Sequence, residues 1–189
     1  MKVIPLFKNE SQLIARAVKN NRAAQQCLYD LHVVKMLSVC RMYIKDIHHA
    51  EEVMLNGFFK VFKHLHEFKN EGSFEGWVRK IMTRECISFL RSEKSLDFKE
   101  LGLDEFNGSF NNIESDINVE EIQQIIDSLP EGYKVVFVMY AIEGYKHQEI
   151  SEMLKINIGT SKSQLFKARK MLQDKLRTQN ASGYGTVKI

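Results

Sequence analysis

Between Thr160 and Arg177 the chain carries six basic residues against one acid, Asp174, with short polar side chains set among them. Ser163 and Gln164 can donate to and accept from base edges, whereas Lys162, Lys167 and Arg169 suit phosphates. Thr160 or Ser161 can cap a helix start, and a helix N-terminus is itself an anion site. The outward face of such a helix would be Lys162, Ser163, Gln164, Phe166, Lys167 and Arg169, chemistry suited to a major groove. The same pattern also fits a helical hairpin with a solvated basic face. A second cationic set, Arg79, Lys80, Arg84 and Arg91, lies outward on another helical stretch. Phe68, in the polar loop before that stretch, is a candidate for stacking on a base. Trp77, on one stripe with Phe74 and Ile81, reads as core.

Other chemistry lacks its residues. The sequence shows no nucleophile arrangement, carboxylate cluster or Walker loop, so an enzyme acting on nucleic acid ranks last and no cofactor is expected. Cys27, Cys40 and Cys86 have no CxxC spacing and read as reduced, mostly buried thiols. Cys40 with His48 and His49 matches no zinc pattern. Glu51 and Glu52, adjacent on a helix, point in different directions and do not make a catalytic pair.

The elements that must position these groups are helical throughout. Leu13, Ala17, Ala24, Cys27, Leu28 and Leu31 give a broken apolar stripe after a candidate N-cap, Ser11. A second stripe runs through Val34, Leu37, Met42 and Ile44, and a third through Val53, Met54, Phe58, Val61, Phe62 and Leu65. A helix starting near Ser73 or Phe74 carries Phe74, Trp77, Val78, Ile81, Cys86, Phe89 and Leu90 inward. Further on, Val119 to Leu129 is amphipathic, Pro130 opens a helix over about 131–143, and Gly144 caps it. Segments 147–154 and 160–176 follow as a helix-turn-helix, with Ile156 and Ile158 plugging the space under the second. Only two prolines interrupt the chain, and no strand pattern competes. The expectation is all-α, with two small helical domains.

Charge divides the same way. Residues 1–91 carry a net +6, residues 92–128 a net −8 and residues 129–189 a net +5. Two polyanion-binding modules joined by an acidic linker would produce that pattern. The expected boundaries are 1–91, a linker over 92–118, a helix-turn-helix domain over 119–178 and a tail over 179–189, disordered from Asn180. No apolar run is long enough to span a membrane and residues 1–10 lack a signal-peptide core, so a cytoplasmic protein is expected.

Over roughly residues 10–178 the sequence resembles the extracytoplasmic-function branch of the bacterial sigma factors. AEEVMLNGFFKVFKHLHEF is similar to the family's core-binding helix, and EGSFEGWVRKIMTRECISFLR to its −10 loop and helix. The stretch from SLPEGYKVVFVMY to KINIGTSKSQLFKARKML resembles its −35-binding domain, and EGSFEGW is like Bacteroidetes-type members. The resemblance implies that Glu52, Leu55, Asn56 and Phe59 face the clamp helices of the largest subunit of RNA polymerase core. It implies that the loop 68–74 holds an unstacked non-template base, with Phe68, Lys69 and Asn70 at the −10 site. Arg79, Lys80, Arg84 and Arg91 would then track the backbone of the opened strand, and the helix from Thr160 would bind the −35 duplex. The resemblance further implies an anti-sigma factor as a partner, and makes the linker either a solvated spacer or a nucleic-acid mimic in the RNA path. Leu55, Arg84 and Ser88 depart from the family pattern, as does Lys155 at a turn where glycine is common. The alternative reading is a free-standing helix-turn-helix regulator.

Overall fold

The computed structural model describes residues 10–93, 96 and 119–183, so most of the expected linker and residues 184–189 lie outside the described residues. The chain divides between Leu90 and Arg91 into two compact units, and no strand occurs among the described residues.

The first unit is built from α1 (Glu10–Val18), α2 (Arg22–Tyr43), α3 (Ile47–Lys63) and α4 (Phe74–Ser92), with a 3-10 turn at Leu65–Glu67. Helix α1 already includes Glu10, so Ser11 lies inside it and is not its cap. The stripe expected to run on from Ala17 is broken at Lys19–Asn21. Asn20 turns left-handed there, and the Asn21 side chain accepts from Ala24 N at 3.0 Å as the cap of α2. Asp46 caps α3 in the same way through His49 N, at 2.9 Å.

Two residues expected to point inward on α2 do not. Leu31 and Val34 are exposed, and the core is filled instead by Leu28, His32, Met36, Val39 and Cys40. His32 tolerates burial because its Nε2 meets Glu10 Oε1 at 2.9 Å and its ring abuts Phe74 edge-on. On α3 the inward stripe is as expected, except that Phe62 is only half-buried. Helix α4 is rotated slightly from expectation. Met82, Thr83 and Ile87 are buried, while Trp77, Ile81 and Phe89 are half-buried. Gly57 on α3 permits the close approach of α4, since a Cβ there would collide with the fully buried Met82 sulfur. Lys60–Glu85 and Lys35–Glu75, both 2.7 Å, tie α3 and α2 to α4.

The second unit comprises α5 (Val119–Asp127), α6 (Glu131–Phe137), α7 (His147–Leu154) and α8 (Ile158–Gly183). Ile125, Leu129, Ala168 and Leu172 form its inner cluster, with Tyr133, Phe137, Met171 and Leu176 packed around it. Helix α6 continues into a π-helical turn, Val138–Ile142, in which Glu143 N donates to Val138 O at 2.9 Å. Gly144 follows in the left-handed region, as the chain end of this helix requires. Lys134 is fully buried and paired with Glu131 at 3.0 Å, a burial the sequence pattern did not suggest. Helix α8 continues to Gly183, past the expected domain end at residue 178.

Lys155 ends α7 with φ 56° and ψ 45°. A Cβ is strained in that region and glycine is not. Lys155→Gly is therefore expected to stabilise the protein by about 1 kcal/mol, read as an upward shift of the urea midpoint at constant slope. An unchanged or lower midpoint would show that the turn carries no such strain.

Candidate nucleic-acid and polymerase interface

The first candidate surface surrounds the loop between the 3-10 turn and α4. Asn70 (φ 57°) and Gly72 (φ 101°) reverse the chain, and Ser73 Oγ accepts from Gly76 N at 3.3 Å to start α4. This turn folds Phe68 back onto the helix. Its ring centroid lies 5.3 Å from Phe74 and 5.5 Å from Trp77, tilted 46° to the indole. Phe74 is buried, but Phe68 and Trp77 are half-buried, so Trp77 is a wall and not the core residue expected. Beside these rings opens a cavity of about 360 Å³, lined also by Glu67, Lys69, Glu71 and Lys80. Asn70 is exposed beside it.

Glu67, Ser73 and Glu71 did not stand out in the sequence, because their placement depends on the reversal at Asn70–Gly72. The Glu67 carboxylate meets His64 Nδ1 at 2.9 Å, and that hydrogen bond holds its pKa below the usual glutamate value. On α4, Lys80, Arg84 and Arg91 are exposed at steps of four and seven, which makes one cationic stripe. Arg79 is half-exposed, 3.9 Å from Glu75. On α3, Glu52, Leu55, Asn56 and Phe59 are all exposed, Phe59 at 70%. Phe59 thus gives nothing to the core of its own unit.

The second candidate surface is α8 with α7. Neither Thr160 nor Ser161 is the cap. Helix α8 starts at Ile158, and Asn157 Oδ1 accepts from Thr160 N at 2.6 Å and from Thr160 Oγ1 at 2.9 Å. Thr160 is itself buried, and Ile158 is exposed and does not plug the turn. The expected outward face needs a further correction. Ser161, Gln164, Ala168 and Leu172 follow at steps of three and four, with Leu165 one turn after Ser161, so Ser161 and Gln164 share the inward side and are 0% and 2% exposed. Ser163 is buried as well, its hydroxyl donating to Thr160 O at 3.0 Å. Lys162 remains exposed, and Phe166, Lys167 and Arg169 half-exposed.

A ring stack outside the sequence expectations fixes the start of α8. His147, at the start of α7, hydrogen-bonds Ser161 Oγ through Nδ1 at 2.9 Å. Tyr140, from the π-helical turn, stacks on that imidazole at 4.5 Å, and the Arg169 guanidinium lies over the Tyr140 ring at 5.6 Å. Partial burial, then the charges of Lys162 and Arg169, lower the His147 pKa from 6.5. Folding therefore favours the neutral ring. The stability linked to this group is complete above pH 6.5 and is lost as pH falls through its lowered folded value. His147→Gln is expected to flatten the decline in unfolding free energy between about pH 7 and 5, measured by urea titration at each pH. Parallel wild-type and variant curves would remove His147 from the account.

Comparison with known proteins finds two family matches in the chain. Residues 28–96 match Sigma-70 region 2, and residues 119–172 match Sigma-70, region 4. The chain belongs to the sigma-70 family. Among its relatives is the ECF RNA polymerase sigma factor SigW of Bacillus subtilis, 26% identical over 87% of this chain and 95% of that protein. The ECF RNA polymerase sigma-E factor of Escherichia coli K12 is 24% identical over 87% and 93%. The chain is thus a sigma factor of the extracytoplasmic-function type, which directs RNA polymerase core to promoters in transcription initiation.

Two solved structures share the fold. RpoE, in complex with the anti-sigma factor NepR from Bartonella quintana, aligns at TM-score 0.54 and 15% identity, over 80% of this chain and 96% of that one. CnrH, in complex with the cytosolic domain of CnrY, aligns at TM-score 0.51 and 18% identity, over 89% and 97%. Among the described residues of this sigma factor no helix is long and apolar enough to cross a membrane, and no group of His, Cys, Asp and Glu could hold a metal ion. Cys27, Cys40 and Cys86 are not joined in disulfides, and the last two are buried.

Proposed function

We propose that this sigma factor divides its work between the two units at residue-level sites. Helix α3 binds the clamp helices of the polymerase's largest subunit through Glu52, Leu55, Asn56 and Phe59. The cavity walled by Phe68 and Trp77 takes one unstacked base of the non-template −10 strand, with Lys69 and Asn70 at its rim. The stripe of Lys80, Arg84 and Arg91, with Arg79, tracks the backbone of that strand. Helix α8 enters the −35 major groove, with Lys162 and Lys167 on phosphates, Arg169 and Phe166 beside them, and Thr160, Ser161, Ser163 and Gln164 supporting its first turns. The Ser161 hydroxyl then acts by holding the helix start against His147, and the reading of bases falls to the exposed side chains.

The observation that carries the −10 assignment is the half-open aromatic cavity on the same helix as the cationic stripe. Base stacking contributes about 1–3 kcal/mol, the scale of the few kcal/mol needed to unstack one base. No group on the protein has to be consumed or regenerated, because binding to the separated strand drives opening. Residues 1–91 and 119–178 serve as the two working domains, with 92–118 between them as an acidic linker. The protein works in the cytoplasm with core polymerase of the Bacteroidetes type. It is held inactive by an anti-sigma factor, a reading supported by the complexes in which its two structural relatives were solved.

The experiment is run-off transcription with Bacteroidetes-type core on fragments of the source genome, with and without the protein. Discrete start sites that need both components support the proposal. If the protein instead footprints duplex DNA alone and does not bind core, the free-standing regulator becomes the better reading.

A further inference from the structure

Three basic side chains meet at the start of the helix-turn-helix, and one of them is a histidine. His147 opens α7, is half-exposed, and feels the charges of Lys162 and Arg169 on α8. Its Nδ1 is engaged with Ser161 Oγ at 2.9 Å, and one face of its ring is covered by Tyr140, stacked at 4.5 Å. Nε2 is therefore the nitrogen left to meet a ligand. On its own helix, Glu149 is turned back to accept from Lys146 N at 2.8 Å. Among the described residues, no carboxylate is one of the charges that act on the imidazole. Partial burial and two fixed cations oppose a third positive charge, so the free protein favours the neutral ring. A phosphate held by Lys162, with Arg169 beside it, reverses that field. It also gives Nε2–H an acceptor, and both effects favour the imidazolium. The face of Tyr140 accommodates the charged ring as well as the neutral one.

We propose that His147 is a further DNA-binding residue of this sigma factor, taking up a proton as the −35 duplex binds and donating from Nε2 to a backbone phosphate. The inference rests on the reading of α8 as the −35 helix. Its consequence is a promoter affinity that rises as pH falls. The free ring titrates below 6.5 and the bound ring higher. Affinity is thus level above the bound value, climbs between the two, and levels again below the free value. Acid then acts in opposite senses on the two equilibria, weakening folding and strengthening the complex. A histidine that only pinned Ser161 would leave affinity constant, or lower it, as the ring became charged.

The test measures binding of the holoenzyme to a labelled duplex that carries the −35 element of the promoter found by run-off transcription and ends before the −10 element. Anisotropy reads affinity from about pH 8 to 6, and calorimetry near pH 6.5 in two buffers of different ionisation heat counts protons. Wild-type affinity is expected to rise about three- to tenfold over that range, with roughly half a proton taken up per complex. His147→Gln, which keeps a polar partner for Ser161, is expected to show neither effect. Lys162→Gln tests the underlying reading, through lower affinity at every pH and a salt slope smaller by about one. If Lys162→Gln changes neither, α8 is not the phosphate-binding helix and the inference falls with that reading. If Lys162→Gln behaves as stated but wild-type affinity is flat or declines towards pH 6, or His147→Gln keeps the rise, the −35 reading stands and proton uptake at His147 is overturned.

Discussion

Replacing Phe59 by Ala is expected to weaken the affinity for RNA polymerase core by about 30- to 100-fold while leaving the melting temperature of the free protein unchanged. The reason lies in where the ring points. Helix α3 buries Ala50, Val53, Met54, Gly57, Phe58 and Val61 on one side, and that side completes the core of the first unit. Phe59 is 70% exposed and Leu55 54%, one turn apart on the opposite side. An exposed aromatic next to an exposed leucine has no folding role to explain it, and such a pair fits the desolvated centre of an interface. Phe59→Asp should be worse than Phe59→Ala, because it places a charge where water is excluded. The neighbouring Phe58→Ala provides the contrast. Phe58 is buried against Tyr29, with ring centroids 4.8 Å apart, so its loss should cost about 3–5 kcal/mol of stability. Titration of core with labelled protein reads the first effect and thermal unfolding the second. A loss of affinity under about threefold for Phe59→Ala would move the core-binding face elsewhere.

The helical periods of α3 were legible because one side is consistently apolar and the other is not. Phe59 could be assigned outward even though it is aromatic, since Val53, Met54, Phe58 and Val61 already complete the inward stripe. Helix α8 shows where the same logic runs out. Ser161 and Gln164 lie one turn before Leu165 and Ala168 on the inward face, so their spacing indicated burial, yet their polarity suggested solvent. Spacing was the better guide. Ser161 is tolerated inside because it finds a partner in His147, and no local pattern announces a partner fourteen residues away. Leu31 and Val34 failed in the opposite sense. They are apolar at helical spacing, but the inward side of α2 is completed by His32, whose burial depends on Glu10 in another helix. The π-helical turn at Val138–Ile142 was also hidden. It arises from backbone geometry that tertiary packing imposes on residues with ordinary propensities. The cavity could be expected only in part, for Phe68 was visible as an aromatic in a polar loop, whereas its facing wall, Trp77, read as core.

Phe68→Ala is expected to lower the rate of open-complex formation on duplex promoters by about 10- to 100-fold, and most of that loss should disappear on a template already unpaired through the −10 element. Phe68 and Trp77 face the same cavity at 5.5 Å, and a base lodged there would exchange its neighbours in the duplex for these rings. Removing one ring removes about 1–3 kcal/mol of stacking at the moment the base leaves the duplex. On a premelted template the strand is already separated, so the step most dependent on that stacking is bypassed. The comparison is needed because Phe68 also touches Phe74, edge-on at 5.3 Å, and its loss will loosen the start of α4. A merely loosened loop would impair duplex and premelted templates alike. Phe68→Trp, which keeps a stacking face, should retain most of the duplex rate. Permanganate reactivity of unpaired thymines reads opening, and affinity for core, measured in parallel, should be unaltered because Phe59 and Leu55 are untouched. Equal defects on both templates would make Phe68 a structural residue of the loop and leave Trp77 as the one candidate stacking surface in the cavity.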